Sequence, residues 1–254
     1  MPLGLLTLAA ALPAPHAAPG PTLRLELGHS SLPKLWHAPW RNEDAFFAAP
    51  PFAAVFDGVS AKPLSRLYAT RLALRARRAL ADGGAEGEWA SQAQRALRVA
   101  ASSVEATDGA CTACVVRFDL PRRCVACYNL GDSGFLLLEP AAPPRRGVAV
   151  VCRSSTRVHA DGSPFQLAGA AGISDSVASG AVASHRLSAG QVALCFTDGL
   201  LQNLTTEDVA RIVSSGPTLS ASRLAALLAR AAMKHGGVRD DVTVVVGRLH
   251  GGKR

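Results

Sequence analysis

Three short apolar runs in this chain each lead into an aspartate with a glycine close behind it. Phe52-Ala53-Ala54-Val55-Phe56 runs into Asp57-Gly58, Val192-Ala193-Leu194-Cys195-Phe196-Thr197 into Asp198-Gly199, and Cys127-Tyr128-Asn129-Leu130-Gly131 into Asp132-Ser133-Gly134. Runs of this length read as buried strands. Other strands are predicted over Thr22 to Gly28, which alternates, and over Phe46 to Phe56, a strand pair broken by Pro50-Pro51. Between Ser65 and Ala81, Leu67, Leu72, Leu74 and Leu80 form an apolar stripe, and Asp82-Gly83-Gly84 stops the predicted helix. From Glu86 to Val104, Trp89, Ala93, Leu97 and Ala100 recur at helical spacing and predict a second amphipathic helix.

Strands then dominate. Thr112 to Asp119 and Cys124 to Leu130 predict a hairpin around Leu120-Pro121-Arg122-Arg123, followed by Phe135 to Leu138, Gly147 to Arg153, Ser184 to Leu187 and Val192 to Thr197. Two helices are expected near Thr206 to Val213 and Ser220 to His235. Thr206 is the expected cap of the first, with Glu207 and Asp208 in its opening turn. Gly236-Gly237 should end the second, and Val242 to Leu249 is the last strand. Strands in runs and helices in pairs point to an α+β fold with mainly antiparallel sheets. The longest surface loops are expected at 139–147 and 160–182. The chain shows no internal repeat and no linker that would split it.

Composition narrows this picture. A length of 254 residues makes one domain the default, and 48% hydrophobic content with 18% charged residues argues against disorder. The charge of +8 raises the possibility of a nucleic-acid partner, but the basic residues are spread out and no base-reading motif occurs. The densest cluster, Arg71, Arg75, Arg77 and Arg78, falls on the first predicted helix. A solvated helix face accounts for it, the alternative being attraction to phosphorylated substrates or anionic membrane surfaces. Residues 1–22 are apolar and interrupted by proline, and we expect a disordered or processed leader there. That stretch is too short and broken for stable membrane insertion. Residues 23–250 are expected to be one catalytic domain, followed by a tail at 251–254.

The acids change the picture most. Asp-Gly after a strand is also a strong turn signal, and Asp82-Gly83, Asp108-Gly109 and Asp161-Gly162 read as turns. Asp57-Gly58 does not, because a helical pattern follows it instead of a second strand. With Glu43-Asp44 and Asp240-Asp241, acids recur at five separated places in a chain with only 19 of them. Carboxylates gathered at strand ends supply hard oxygen ligands, which suit Mg²⁺ or Mn²⁺.

The cysteines offer a competing reading. Cys111-Thr112-Ala113-Cys114 and Cys124-Val125-Ala126-Cys127 share the spacing of a zinc ribbon. Both pairs are embedded in strand-like sequence, however, where residues three apart point to opposite faces. Core thiols in a reducing compartment are the expectation, with a zinc-binding module or a redox role as alternatives.

Asn-Glu-Asp-Ala (42–45), Val-Phe-Asp-Gly-Val (55–59), Cys-Thr-Ala-Cys (111–114), Asn-Leu-Gly-Asp-Ser-Gly-Phe (129–135), Pro-Phe-Gln-Leu (164–167), Thr-Asp-Gly-Leu (197–200) and Asp-Asp-Val-Thr-Val (240–244) occur in one order. In that order the chain resembles the metal-dependent protein phosphatases of the 2C family, most nearly their mitochondrial Ptc7-like branch, from Arg24 to Leu249. The resemblance implies a four-layer α-β-β-α sandwich of two mainly antiparallel sheets flanked by helix pairs. It also implies hydrolysis of phosphoserine and phosphothreonine in protein substrates by a water held between two Mn²⁺ or Mg²⁺ ions, with no phosphoenzyme. It makes Asp57 the bridging ligand, with Glu43 and the Gly58 carbonyl on one ion and Asp198 and Asp240 on the other. Asp132 falls at a third, weaker metal position shared with Asp198. Asp44 and Asp241 are expected behind the ligands. A mitochondrial or other organellar location is implied by the branch, with the cytoplasm as the alternative.

Two departures stand out. The family's frequent histidine after the bridging Asp-Gly is Val59 here, as in the Ptc7-like branch, and the usual Gly-Gly is Ser60-Ala61. The place of the phosphate-binding arginine is Pro39. Arg41 is the nearby candidate for that role and His37 a candidate proton donor, ordinary surface positions being the alternative for both. All the aligned carboxylates are present, which favours an active enzyme over a phosphoprotein-binding pseudophosphatase.

Overall fold

The computed structural model describes residues 22–34, 41–83, 88–141, 147–169, 172–235 and 240–252. Among the described residues, twelve strands form two five-stranded antiparallel sheets and one two-stranded ribbon. The first sheet takes the order β1 (Leu23–Leu32), β12 (Val242–Gly251), β11 (Val192–Phe196), β7 (Gly134–Pro140), β8 (Val148–Arg153). The second takes β10 (Ala181–Arg186), β6 (Cys124–Leu130), β5 (Ala113–Asp119), β3 (Phe52–Phe56), β2 (Ala45–Ala49). The ribbon pairs β4 (Ala110–Cys111) with β9 (Leu167–Ala168).

Period-two alternation sorts each central strand between two cores. Ala53, Val55, Cys114, Val116, Phe135, Leu137, Ala193, Cys195 and Val245 face the other sheet and form the middle of the sandwich. Ala54, Phe56 and Val115 face outward, onto α1 (Ser65–Asp82) and α2 (Trp89–Val104). Leu136, Leu138, Leu194, Phe196, Val244 and Val246 face outward from the first sheet, onto α3 (Gly199–Asn203), α4 (Thr206–Ser215) and α5 (Ala221–His235). The result is the four-layer α-β-β-α sandwich. Strands covered on both faces need apolar residues at every position, which is why the central ones are continuous runs. Each fully buried leucine among them contributes about 1.5–3 kcal/mol.

The structure corrects several expectations in detail. In α1, Leu67 is 39% and Leu74 50% exposed, and the buried face is Ser65, Tyr68, Ala69, Leu72, Ala73, Ala76 and Leu80. Alanine lets the helix approach α2 and the sheet, so the large leucines read as a stripe are only partly those that face the core. Thr205, not Thr206, caps α4. Its hydroxyl accepts from the Asp208 N–H, while the Asp208 side chain accepts from the Thr205 N–H, a reciprocal capping box. The second predicted helix is described from Trp89, Glu86 lying outside the described residues, and β12 runs on to Gly251. The predicted loop 160–182 contains β9 and a 3₁₀ turn at Val177–Ser179, and 139–140 still belong to β7. Asp108-Gly109 leads directly into β4 rather than forming a turn between strands. Residues 1–21 of the leader and Gly236-Gly237 lie outside the described residues.

Candidate metal centre

Strand register gathers the acids. In the second sheet Ala45 pairs with Phe56, Val55 with Cys114, and Ala113 with Leu130. The start of β2, the end of β3, the start of β5 and the end of β6 therefore lie side by side. In the first sheet Phe196 pairs with both Val244 and Gly134, which aligns the end of β11 with the starts of β12 and β7. Glu43, Asp57, Asp132, Asp198 and Asp240 all sit just beyond these termini, at one end of the sandwich. Asp57, Asp132 and Asp198 come closest, each offering a carboxylate oxygen within 4.8 Å of the others.

The backbone is shaped to allow this. Gly58 lies against Glu43, where a Cβ on it would meet the Glu43 carbonyl oxygen at 2.5 Å. Gly131 adopts φ +105°, a left-handed conformation that L side chains rarely take, and it starts the turn that presents Asp132.

The neighbours hold each acid in place. Gln202 Nε2 donates to Asp198 Oδ2. The Thr197 hydroxyl donates to Asp44 Oδ2 (2.9 Å) and accepts from the Thr243 N–H (3.0 Å). Asp241, 2% exposed, accepts the N–H groups of Lys34 (2.7 Å) and Glu43 (2.8 Å), tying β12 to the segment that carries Glu43. The Lys34 ammonium reaches Glu43 Oε2 and Asp240 Oδ1, both at 3.2 Å.

Burial and mutual repulsion push these carboxyls toward their protonated forms. Asp57 is held well above the usual range by desolvation and then by Asp44 and Asp198. Desolvation raises Asp44 to about 8, and it raises Asp132 to about 6 with Asp198 adding to the shift. Asp198 and Asp241 also rise, chiefly through burial. Lys34 is pulled down by burial, but Asp240 and Glu43 outweigh this and its net shift is upward. Among the described residues, Asp44 Oδ1 and Asp198 Oδ1 are buried without a hydrogen-bond partner. Orphaned oxygens, repelling carboxyls and an all-oxygen donor set fit a divalent ion of the Mg²⁺ or Mn²⁺ kind.

Beside the acids is a cavity of about 240 Å³, lined by Asp132, Asp198, Phe135, Phe196, Arg153 and Thr156 among others. Arg41 is exposed, two residues before Glu43. His37 and Pro39 lie outside the described residues.

The thiols are elsewhere. Cys111 packs in the α1–α2 core, whereas Cys114 and Cys127 pack between the sheets, so the members of the first pair point to opposite faces as strand geometry requires. All six cysteines are free, and burial raises the pKa of each.

Lys34 and Gln202 are not among the residues the sequence singles out, and Ser60 and Thr197 stand in its motifs without the contacts seen here. Thr197 and Gln202 flank Asp198 and can be found by asking what buried atoms a strand-end aspartate requires. Lys34 carries no such signal. It is one of four lysines, nine residues before Glu43.

Comparisons with known proteins bear on the family and the fold. The sequence profile of the Stage II sporulation protein E (SpoIIE) family matches residues 63–250. Protein phosphatase PTC7 homolog from Danio rerio is 36% identical over 102 residues, 38% of this chain and 32% of that protein. Putative protein phosphatase 2C 24 from Oryza sativa subsp. japonica is 30% identical over 227 residues, 82% of this chain and 63% of that protein. The chain thus spans about a third of the zebrafish protein it matches and less than two thirds of the rice one. The catalytic domain of the serine/threonine protein phosphatase PstP, solved in complex with two manganese ions, superposes with a TM-score of 0.70 at 19% identity, covering 90% of this chain and 100% of that one. At that identity the likeness speaks for the fold.

Proposed function

Because the chain belongs to the SpoIIE family, of protein phosphatase 2C type, we propose that it is a metal-dependent serine/threonine protein phosphatase acting on phosphorylated proteins. The observation that carries this reading is the meeting of Asp57, Asp132 and Asp198 within 4.8 Å, delivered by three strand ends far apart in sequence. In this reading residues 23–250 are one catalytic domain.

Asp57, Glu43, the Gly58 carbonyl, Asp198 and Asp240 are the groups that would hold two divalent ions, and Asp132 with Asp198 would hold a third, weaker one. Bound there, the ions would supply a low-pKa water and neutralise phosphoryl charge. The chain's own part is placement. Asp241 anchors Glu43 through a main-chain hydrogen bond. Gln202 orients Asp198, and Thr197 holds Asp44 behind the ligands. Asp57 and Asp132, whose carboxyls are shifted toward the protonated form, would bind a metal as carboxylates, so metal binding would be coupled to proton release. Arg41 is the residue we assign to the phosphate, from its exposed position near Glu43. The cavity beside Asp132 and Asp198 has room for a side chain flanking the phosphorylated one. Likeness to PTC7 homologues supports a mitochondrial or other organellar location; no helix among the described residues is long and apolar enough to cross a membrane.

The test is hydrolysis of p-nitrophenyl phosphate and a phosphothreonine peptide, with Mn²⁺ or EDTA, by the wild type and Asp198→Asn. Turnover should require Mn²⁺ and drop at least about a hundredfold in the variant, as when one preorganised group is removed from a charged transition state. A folded protein that binds Mn²⁺ but turns over neither substrate would instead be a phosphoprotein-binding relative. Stoichiometric zinc on the purified protein would favour the thiol reading.

A further inference from the structure

Lys34 is tied to the acidic rim at both ends. Its N–H donates to Asp241 Oδ1 at 2.7 Å. Its ammonium lies 2.7 Å from Ser60 Oγ and 3.2 Å from both Glu43 Oε2 and Asp240 Oδ1. An ammonium has three N–H donors, and these three oxygens use them all. Ser60 Oγ also donates to Glu43 Oε2 at 2.6 Å, so the same carboxylate oxygen serves two donors. The residue is 8% exposed. A lysine buried to this extent is stable only when its charge is paired, and here the pairing comes from two acids on opposite sheets of the sandwich.

Those two acids are the outer ligands of different ions in the reading proposed above, on which this inference rests. Lone pairs donated to an ammonium are not available to a metal, and a unit positive charge a few ångströms away repels a divalent ion. We propose that Lys34 is a built-in counter-cation: its ammonium holds Glu43 and Asp240 together in the metal-free protein, competes with divalent ions for them, and is displaced when the centre fills. The competition weakens the hold on both ions and keeps the rim ordered when they leave. Ser60 supplies the third acceptor and so helps to fix the ammonium there.

Calorimetric titration of the full chain with Mn²⁺ tests this, comparing wild type, Lys34→Gln and Lys34→Arg, with melting temperatures in EDTA alongside. Lys34→Gln should bind Mn²⁺ about tenfold more tightly, the scale expected for removing one partly screened charge at this range. It should also melt lower than wild type in EDTA and gain more from saturating Mn²⁺. Lys34→Arg, which keeps the charge, should stay near wild-type affinity. Unchanged or weaker Mn²⁺ binding by Lys34→Gln overturns the inference and leaves the metal reading standing. If no protein binds Mn²⁺, both fall. A readout on the wild type covers the case in which Lys34→Gln fails to fold: amine acylation mapped by mass spectrometry. Labelling of Lys34 should rise several-fold on adding Mn²⁺, and labelling that stays level or falls overturns the competition.

Discussion

The two ends of the sandwich use the same residue type in opposite ways. At one end Asp119 closes β5, 3.2 Å from the Arg122 guanidinium and 3.5 Å from that of Arg117. Nearby, on β1, Glu26 accepts the Ala221 N–H and pairs with His250, and the backbone bond, aided by His250, holds its pKa below the usual carboxylate range despite some burial. At the other end Asp57, Asp132 and Asp198 face one another, and burial and repulsion raise all three. Both sets of acids lie on or beside strands of the same two sheets. What differs is whether the chain supplies the countercharge. Where it does, the carboxylates are ordinary surface structure. Where it leaves carboxylates facing carboxylates, the balance falls to a bound ion, with Lys34 at the border between the two regimes.

The largest effect that would sharpen this contrast is at Gly58. A methyl there would meet the Glu43 carbonyl oxygen at 2.5 Å and its Cβ at 2.9 Å, so Gly58→Ala must move Glu43. Mn²⁺ affinity should fall by about 10–100-fold, the usual cost of disturbing a ligand's support. Gly247→Ala is the matched control. Its methyl meets Phe118 Cζ at 3.0 Å and Leu25 Cδ1 at 3.3 Å, between the sheets and toward the far end. It should lower the melting temperature and leave Mn²⁺ affinity alone. Equal losses of affinity in both would mean that the acidic end has no privileged geometry.

The fold was legible because its central strands are buried on both faces and therefore read as unbroken apolar runs. The hairpin Ala45–Phe56 was recognisable from an apolar stretch broken at Pro50-Pro51, and the helix Trp89–Val104 from apolar residues recurring at helical spacing along one face. Helix α1 was harder. Its core face is mostly alanine, and a stripe read from large residues selected the exposed Leu67 and Leu74. At the site, the strand-end aspartates were visible because a carboxylate after an apolar run needs a reason. The role of Lys34 and the contacts of Ser60 were not, because they exist only once loops distant in sequence have met. A lysine nine residues from an acid looks the same in the sequence whether it is solvated or pinned.

A second, intermediate effect concerns pH. A carboxyl whose pKa is higher folded than unfolded binds its proton more tightly in the native state. Its stabilising contribution is full below the unfolded value, near 4, and is lost as pH rises through the folded one. For Asp132 and Asp44 those folded values are about 6 and about 8. In EDTA the melting temperature should therefore decline by several degrees between pH 5 and pH 8, and saturating Mn²⁺ should flatten or reverse the decline. Glu26, shifted downward, has the opposite sign: its contribution is lost only as pH falls below its unfolded value of about 4.5. The window above pH 5 thus reports on the acidic end. A decline that persists unchanged with Mn²⁺ bound would place the responsible groups elsewhere.

The smallest effect separates the ends by sign. At pH 8 in EDTA, Asp132→Asn removes a carboxylate that burial and Asp198 oppose, so the melting temperature should rise. Asp119→Asn removes one that has partners, and the melting temperature should fall. The fall will be slight. Arg122 is 74% exposed, so that pair is well screened, and the asparagine oxygen can still accept the Arg122 N–H that Asp119 Oδ1 now accepts at 3.0 Å. Less than about 1 kcal/mol is expected for such a pair, or about 2–4 °C at most in a domain of this size. Mn²⁺ affinity should not change in Asp119→Asn and should weaken at the lower-affinity step in Asp132→Asn. Shifts of the same sign in the two variants would break the comparison, because the two ends would then differ only in how deeply their acids are buried and not in who supplies the opposing charge.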